Sequence, residues 1–526
     1  MAFTGEHPTA AKRYAELKGH RKQAENRARR CAKQTLPRLW VEEGSSTRVP
    51  GSAYIDTGPK CVNALASKIV LTWLPPNAGV FKLSPDQAVA EAIAQQAGVE
   101  RSELEAALVE VEREVINDLE TSGIRPVLSE AAKHAIVSGN FLLYDPDEGR
   151  PKLYPLTNYV VDRDGLGNLL EIITLDKIAP ALLPDGIRQQ VVQKLDGQRA
   201  TTTKNDDVKL YTWVKRGEDG KTWEVVQEVE GITVPETFAT YPLDACPWIP
   251  FASPPSMVDD YGEGLVYDYI GAFESLEALR KAIRKGAAAL AKIILFLKPT
   301  SVIRERQLTE AESGAVLRGE ATDVSTLQLQ KAYDLNFVRQ EADGLSHSLE
   351  IIFGVRSAIQ RPGERVTAYE IRVLSQELDD ALSGFMALSG EQLLLPLIRR
   401  RLDKLQRAQR LPPMPPELIQ PRITVGIAAL GRGHDLNRLI EFGEAAKALI
   451  GEAEVQMRLN SGEAVSRLAA AADIPAKGLI KSDEELQAEQ QNSAMQEAMV
   501  RAAPNLANAA MAPPRLTRGT FNVQHP

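Results

Sequence analysis

Apolar residues recur at three- and four-residue spacing through most of this chain and alternate at period two only in its second quarter. That pattern predicts an α+β protein, mainly α-helical, with a β-rich stretch set between helices. Residues 9–35 read as a basic amphipathic helix ended by Leu36-Pro37, and residues 60–74 as a second helix that stops at Pro75-Pro76. Residues 84–122 are rich in Ala and Glu and place Leu104, Leu108, Val111, Val115 and Leu119 on one helical face. Between Phe141 and Phe251 the pattern turns to strands. Residues 160–173 predict a hairpin turning at Asp164-Gly165, and residues 209–214 and 222–229 a second one around Asp219-Gly220. The polar residues 187–207 read as a short helix running into a loop.

From residue 265 to 296 the helical period returns in Val266, Ile270, Phe273, Leu276, Ile283, Leu290 and Ile294. This predicts one helix of about 48 Å, ended by Pro299. Residues 297–333 read as a compact insert with short strands at Val302-Ile303 and 324–329, and residues 334–353 as a returning helix. A cationic stretch then runs from Gln360 to Arg372. Its Pro362-Gly363 suits the centre of a type II turn, where proline fixes φ and glycine accepts a positive one. Thr367 and Glu370 form a capping box, each side chain taking an otherwise orphan backbone N–H. Ile371, Leu374, Leu378, Leu382, Phe385 and Leu388 continue it as a long helix, which Pro396 must kink or interrupt. The Pro-rich residues 411–416 predict an extended connector, residues 424–475 more helix, and residues 482–504 a last polar helix before a tail.

At 526 residues the chain should divide into two or more units. Three cysteines, far apart, argue against a disulfide framework and for a reducing cytoplasm. The most apolar run, 286–297, contains Lys292 and is shorter than the roughly 20 residues of a membrane span, so no membrane partner is expected. A formal charge of −8 opposes binding of nucleic acid over the whole surface, but the sign is uneven. Residues 11–40 hold ten Lys/Arg against two Glu, and residues 397–410 six against one Asp. Each cluster reads as a DNA-facing patch, a solvated helix face or a subunit contact.

Recognisable catalytic chemistry does not emerge. Gly220-Lys221-Thr222 ends like a phosphate loop, but the glycine required five residues before the last one is Lys215, and a strand follows. We read it as a hairpin turn. The six histidines show no metal-ligand spacing, and the paired aspartates at 206–207, 259–260 and 379–380 diverge rather than converge on an ion. No cofactor, metal or catalytic residue is expected.

The cationic stretch Arg365-Val-Thr-Ala-x-Glu-Ile-Arg372 resembles a signature of the portal proteins, or head-to-tail connectors, of short-tailed podovirus-type bacteriophages. Other stretches resemble the same family in the same order. They are Leu65-Ala-Ser-Lys68, Ser138-Gly-Asn-Phe-Leu-Leu-Tyr144, Tyr159-Val-Val-Asp-Arg-Asp164, Ala245-Cys-Pro-Trp-Ile-Pro250, Tyr261-Gly-Glu-Gly264 and Leu430-Gly-Arg-Gly-His-Asp-Leu436. The resemblance implies the portal fold assembled as a dodecameric ring. It divides the chain into a wing (1–262), a stem helix (263–296), a clip (297–333), a returning stem helix (334–353) and a tunnel loop (354–366). A long wing helix with connector (367–425), a crown (426–480) and a C-terminal helix and tail (481–526) complete it.

It also implies a DNA channel at one vertex of the capsid, for genome packaging, retention and ejection. The partners implied are double-stranded DNA, the terminase large subunit, scaffolding protein, major capsid protein and a tail adaptor. The location implied is the virion, with host cytoplasm during assembly. In that frame Arg356, Gln360, Arg361, Glu364, Arg365 and Arg372 lie nearest the channel. Lys281, Lys285 and Lys292 either line the stem or pair between subunits with Glu274 or Glu277. A DNA-processing enzyme, or an oligomeric DNA-binding adaptor, using the same basic loop is the alternative.

Overall fold

The computed structural model describes residues 9–40, 54–75, 80–83, 101–198, 207–254, 259–290, 294–316, 318–327, 332–355, 382–412, 414, 421–423, 443–449 and 451. The chain divides into Met1–Ala429 and Leu430–Pro526; within the second unit residues 443–449 are helical. Mixed helix and strand with helix in excess is the observed composition.

In the first unit, α1 (Ala10–Gln34) begins where the Thr9 hydroxyl accepts from the Lys12 amide. Helices α2 (Thr57–Trp73) and α3 (Arg101–Thr121) pack on α4 (Ile124–Ser138), which packs beside α1. Between α2 and α3 lies a short strand, β1 (Phe81–Leu83). Helix α4 is not among the elements expected from the sequence. Its buried Ile124, Leu128, Ala131, Ala132, Ala135 and Ile136 do recur at helical spacing, but half of them are alanines, and Gly123 and Pro126 punctuate its start. Glycines close both its ends, Gly123 and Gly139, at φ +74° and +72°.

A three-stranded sheet orders β3 (Lys152–Tyr154), β2 (Asn140–Tyr144) and β9 (Trp248–Ala252). Phe141 and Phe251 stack across it at 4.8 Å between ring centroids, beside Trp73. Strands β4 (Tyr159–Arg163), β5 (Leu169–Ile178), β6 (Val208–Arg216), β7 (Thr222–Val229) and β8 (Ile232–Pro242) form one antiparallel meander in that order. Both predicted hairpins are present within it. Alternate residues feed opposite faces, as strand geometry requires. Val160 and Ile173 meet Tyr14 and Leu17 of α1, while Val161, Ile172 and Val214 join the main core. The polar stretch after β5 forms α5 (Asp185–Gln198), whose Ile187 and Val191 pack on Val208, Val229 and Val234 at the far end of the sheet. β8 goes unannounced in the sequence because it carries Pro235 and Pro242. It lies at the sheet edge, where a missing N–H breaks no ladder.

The single helix expected over 265–296 is corrected. Leu265–Asp268 (α6) and Ile270–Leu290 (α7) are helical, but Ile294–Leu297 is a strand, β10. It pairs antiparallel with β11 (Val324–Leu327), so Pro299 follows a strand instead of ending a helix. A short run apolar at every position fits either period, and pairing with a second strand decides the outcome. Between these strands run a short helix, α8 (Glu305–Thr309), and a 3-10 turn at Ala321–Asp323. Val302-Ile303 is a bend, not a strand; Ile303 instead packs over Gly319, where a Cβ would lie 2.5 Å from the isoleucine. Helix α9 (Ala332–Ile352) returns antiparallel along α7. Arg280 Nη2 donates to Asp343 Oδ1 at 2.8 Å, and Leu335 closes over Gly286.

Residues 382–389 are helical, Gly390–Leu394 open into a π-helical turn, and an α-helix (α10) continues over Leu395–Arg407. Pro396 therefore does not stop the helix. Its ring has no N–H for the carbonyl of Gln392, and widening the preceding turn lets the chain pass. Beyond it, β12 (Pro421–Ile423) pairs antiparallel with β1.

Candidate functional site

Four of the quoted motifs meet at one place, where the helical pair α7/α9 leaves the wider core. Asn140 is buried at the start of β2. Its Nδ2 donates to the carbonyls of Ser138 (2.7 Å) and Gly262 (2.8 Å), and its Oδ1 accepts from the Gly262 amide (2.8 Å). The neighbouring Tyr261 hydroxyl accepts from the Val161 amide at 3.1 Å, and Asp260 Oδ1 accepts from the Arg163 amide at 3.2 Å. Side chains thus satisfy the free edge of β4. The glycines permit backbone-to-backbone contact: a Cβ at Gly264 would lie 2.5 Å from the Val137 carbonyl carbon, and one at Gly139 2.3 Å from that of Glu263. Lys68, from the first motif, donates to the Gly354 carbonyl at 2.8 Å at the foot of α9. The motifs build a joint between the sheet, α4 and the start of the helical pair.

Several cations of both clusters are paired with acids of the same chain. On α1, Arg30 forks onto Glu274 at 2.6 and 2.5 Å. Arg13 reaches Asp162 and Glu171 at 2.9 and 2.6 Å, and Arg27 faces Asp259 and Glu263. Gln34 donates to Glu277 at 2.8 Å. Glu274 and Glu277, the proposed inter-subunit partners of the lysines, are engaged within the subunit by Arg30 and Gln34. The second cluster is partly interior, with Arg400 and Arg401 buried and Arg407 and Arg410 exposed. Arg401, 1 % exposed, donates to Asp118 Oδ2 and Asp145 Oδ1, both at 2.7 Å. Arg400 is also fully buried; it reaches Asp147 Oδ1 at 2.7 Å and faces the Tyr241 ring at 5.3 Å. Arg410 forks onto Asp118 and Glu114 at 2.8 and 2.5 Å. Burial lifts the Asp145 carboxyl above its ordinary range against the pull of Arg401. For the more open Asp147, the bonds and charge of Arg400 outweigh burial and lower it. Arginines at helical spacing announce a basic face; the acids that bury them lie far away in sequence, on α3 and after β2.

Lys281 and Lys285 are exposed on α7. Lys281 and Arg284, the latter not singled out in the sequence, each stand 5.8 Å from the Tyr54 ring. Lys292 lies outside the described residues, as do Arg356, Gln360, Arg361, Glu364, Arg365 and Arg372. At Gly220-Lys221-Thr222 the chain makes a strand turn, in which Asp219 Oδ1 accepts from the Lys221 and Thr222 amides at 2.9 and 3.2 Å. Among the described residues no group of three or more His, Cys, Asp or Glu is placed to hold a metal ion, and no helix is long and apolar enough to cross a membrane.

A family model described as "Bacteriophage head to tail connecting protein" matches residues 7–480. The portal protein of Escherichia phage T7 is 34 % identical over 503 residues, covering 94 % of this chain and 92 % of the relative. The portal protein of Enterobacteria phage SP6 is 28 % identical over 505 residues, 95 % of each chain. That of Pseudomonas phage phiKMV is 26 % identical over 481 residues, 91 % of this chain and 93 % of the relative. With the match running through the core, the motif joint and the helical pair alike, the chain belongs to the family of bacteriophage head-to-tail connecting proteins, the portal proteins.

Proposed function

We propose that this portal connector works as a closed ring of about twelve copies around a DNA channel, cyclic association being the way a heterologous interface terminates. The observation that carries this reading is the antiparallel pair α7/α9 bracketing a small insert and rooted in the motif joint. In this reading α7 and α9 form the stem, and the insert around β10 and β11 forms the clip. The residues from Arg356 to Arg372 form the loop that meets passing DNA by charge and shape, not by base sequence. The clip docks the terminase large subunit during packaging and a tail adaptor afterwards, while scaffolding and major capsid proteins meet the ring during head assembly. The chain itself is structural, with ATP hydrolysis left to the motor. Lys281, Lys285 and Lys292 face the lumen or a neighbouring copy.

Joining α7 to α9 through a short Gly/Ser linker in place of residues 294–327 tests the assignment of the clip. Rings should still form, because the joint at Asn140 and Tyr261 is untouched. Motor binding and packaging in extract should be abolished. A variant that packages at the parent rate contradicts the assignment.

A further inference from the structure

We infer that Lys281 belongs to the seam between adjacent copies and pairs there with Glu341 of the next copy; this rests on the ring reading above. Three observations converge. First, the acids nearest to Lys281 along α7, Glu274 and Glu277, are held by Arg30 and Gln34. Among the described residues, Lys281 has the Tyr54 ring beside it but no carboxylate. Second, α9 has an outward face that no described residue covers. Phe337 is 71 % exposed, and the exposed Glu341 one turn along makes no ion pair among the described residues. An aromatic left in water beside a lone acid is a poor surface for a free helix but a suitable one for a partner that brings apolar area and a cation. Third, the register fixes which residues share a level. Arg280 pairs with Asp343, and Gly286 meets Leu335. Going up α7 therefore goes down α9, which sets Lys281 level with Glu341 and Lys285 level with Phe337.

Rotation about a ring axis leaves the height of every residue along that axis unchanged. With the hairpin set along the ring axis, residues on its two flanks therefore meet across a seam only if they share a level. Lys281 and Glu341 share one, are opposite in charge and stand on different helices. The same operation lays Phe337 on the exposed Ala282 and the aliphatic stem of Lys285. This occupancy places Lys281 and Lys285 at the seam and leaves lumenal contact to other groups.

Charge exchange in the full-length chain tests the seam, with ring formation followed by solution mass. Lys281→Glu and Glu341→Lys alone should each raise the concentration for half-assembly by about tenfold or more. The double exchange should bring it back towards the parent, while circular dichroism confirms folding of all three. A Lys281→Cys/Glu341→Cys chain should give a disulfide-linked ladder of copies under mild oxidation; Cys31 and Cys61 are buried and Cys246 half-buried, so background linking is low. Singles that assemble like the parent, a double exchange that stays dissociated, or linkage confined to single chains would each overturn the pairing. A parent chain that forms no ring would instead overturn the ring reading on which the pairing rests.

Discussion

Arg401→Ala is expected to lower the stability of the first unit by about 3–5 kcal/mol. The guanidinium contributes Coulomb attraction, but the larger effect of its loss is on the groups left behind. Asp145 would lose its side-chain ion-pair partner, and Asp118 would keep only Arg410, in an interior where Arg401 itself is 1 % exposed. Replacing all three by apolar residues of similar volume, Arg401→Met with Asp118→Leu and Asp145→Leu, should recover most of the loss, since no orphaned charge then remains. The sign of the pH dependence follows. Asp145 already binds its proton more tightly in the fold than an ordinary aspartate, because burial outweighs Arg401. Without the arginine its folded pKa rises further above its unfolded value. The folded form then binds the extra proton as pH falls towards that value, and the deficit of Arg401→Ala shrinks. Urea midpoints of parent and variant at fixed protein concentration, at neutral and mildly acid pH, measure both effects. A deficit below about 1 kcal/mol, or one that grows on acidification, would show that the pair is not the tie it resembles.

That cluster also marks where the sequence stops being legible. Period and turn chemistry locate α1, α2, two of the hairpins of the large sheet and the returning helix α9, because each has one wet face and one dry face. α4 escapes because Gly123 and Pro126 punctuate its start and alanines carry much of its buried face, and β8 because its prolines are tolerated only at an edge. The β10 strand escapes because four apolar residues in a row have no period of their own. The arginines of α10 and α1 read as cationic surface because their acids are contributed by distant elements, Asp118 and Asp145 in one case and Glu171 and Glu274 in the other. Conversely, motifs scattered over two hundred positions are readable as a set. Asn140, Tyr261 and the glycines around them hold the backbone at close quarters in a way that few other residue types can reproduce.

Replacing Arg361 and Arg365 together by alanine is expected to abolish DNA retention while sparing the ring. Two cations are removed from each copy, and Thr367 and Glu370, which the sequence reads as a capping box, are left unchanged. Because much of non-specific affinity comes from counterions released at phosphates, the slope of log affinity against log salt should flatten by about 0.9 for each phosphate no longer neutralised. Thr367→Ala supplies the control. It should cost about 1 kcal/mol of helix stability through removal of the cap, with the loop charges unchanged. Filled-head yield, DNA retained after purification and the salt slope of duplex binding by isolated rings give the readouts. Parent-like retention and an unchanged slope in the double variant would return these arginines to the status of solvated loop positions.

Whether the portal closes into a ring on its own is decided by the mass of the isolated full-length chain in physiological salt. At micromolar concentration and without added cofactor, a single species of about twelve times the 57.6 kDa chain mass is predicted, with a central hole in projection. A stable monomer or dimer under the same conditions would contradict it.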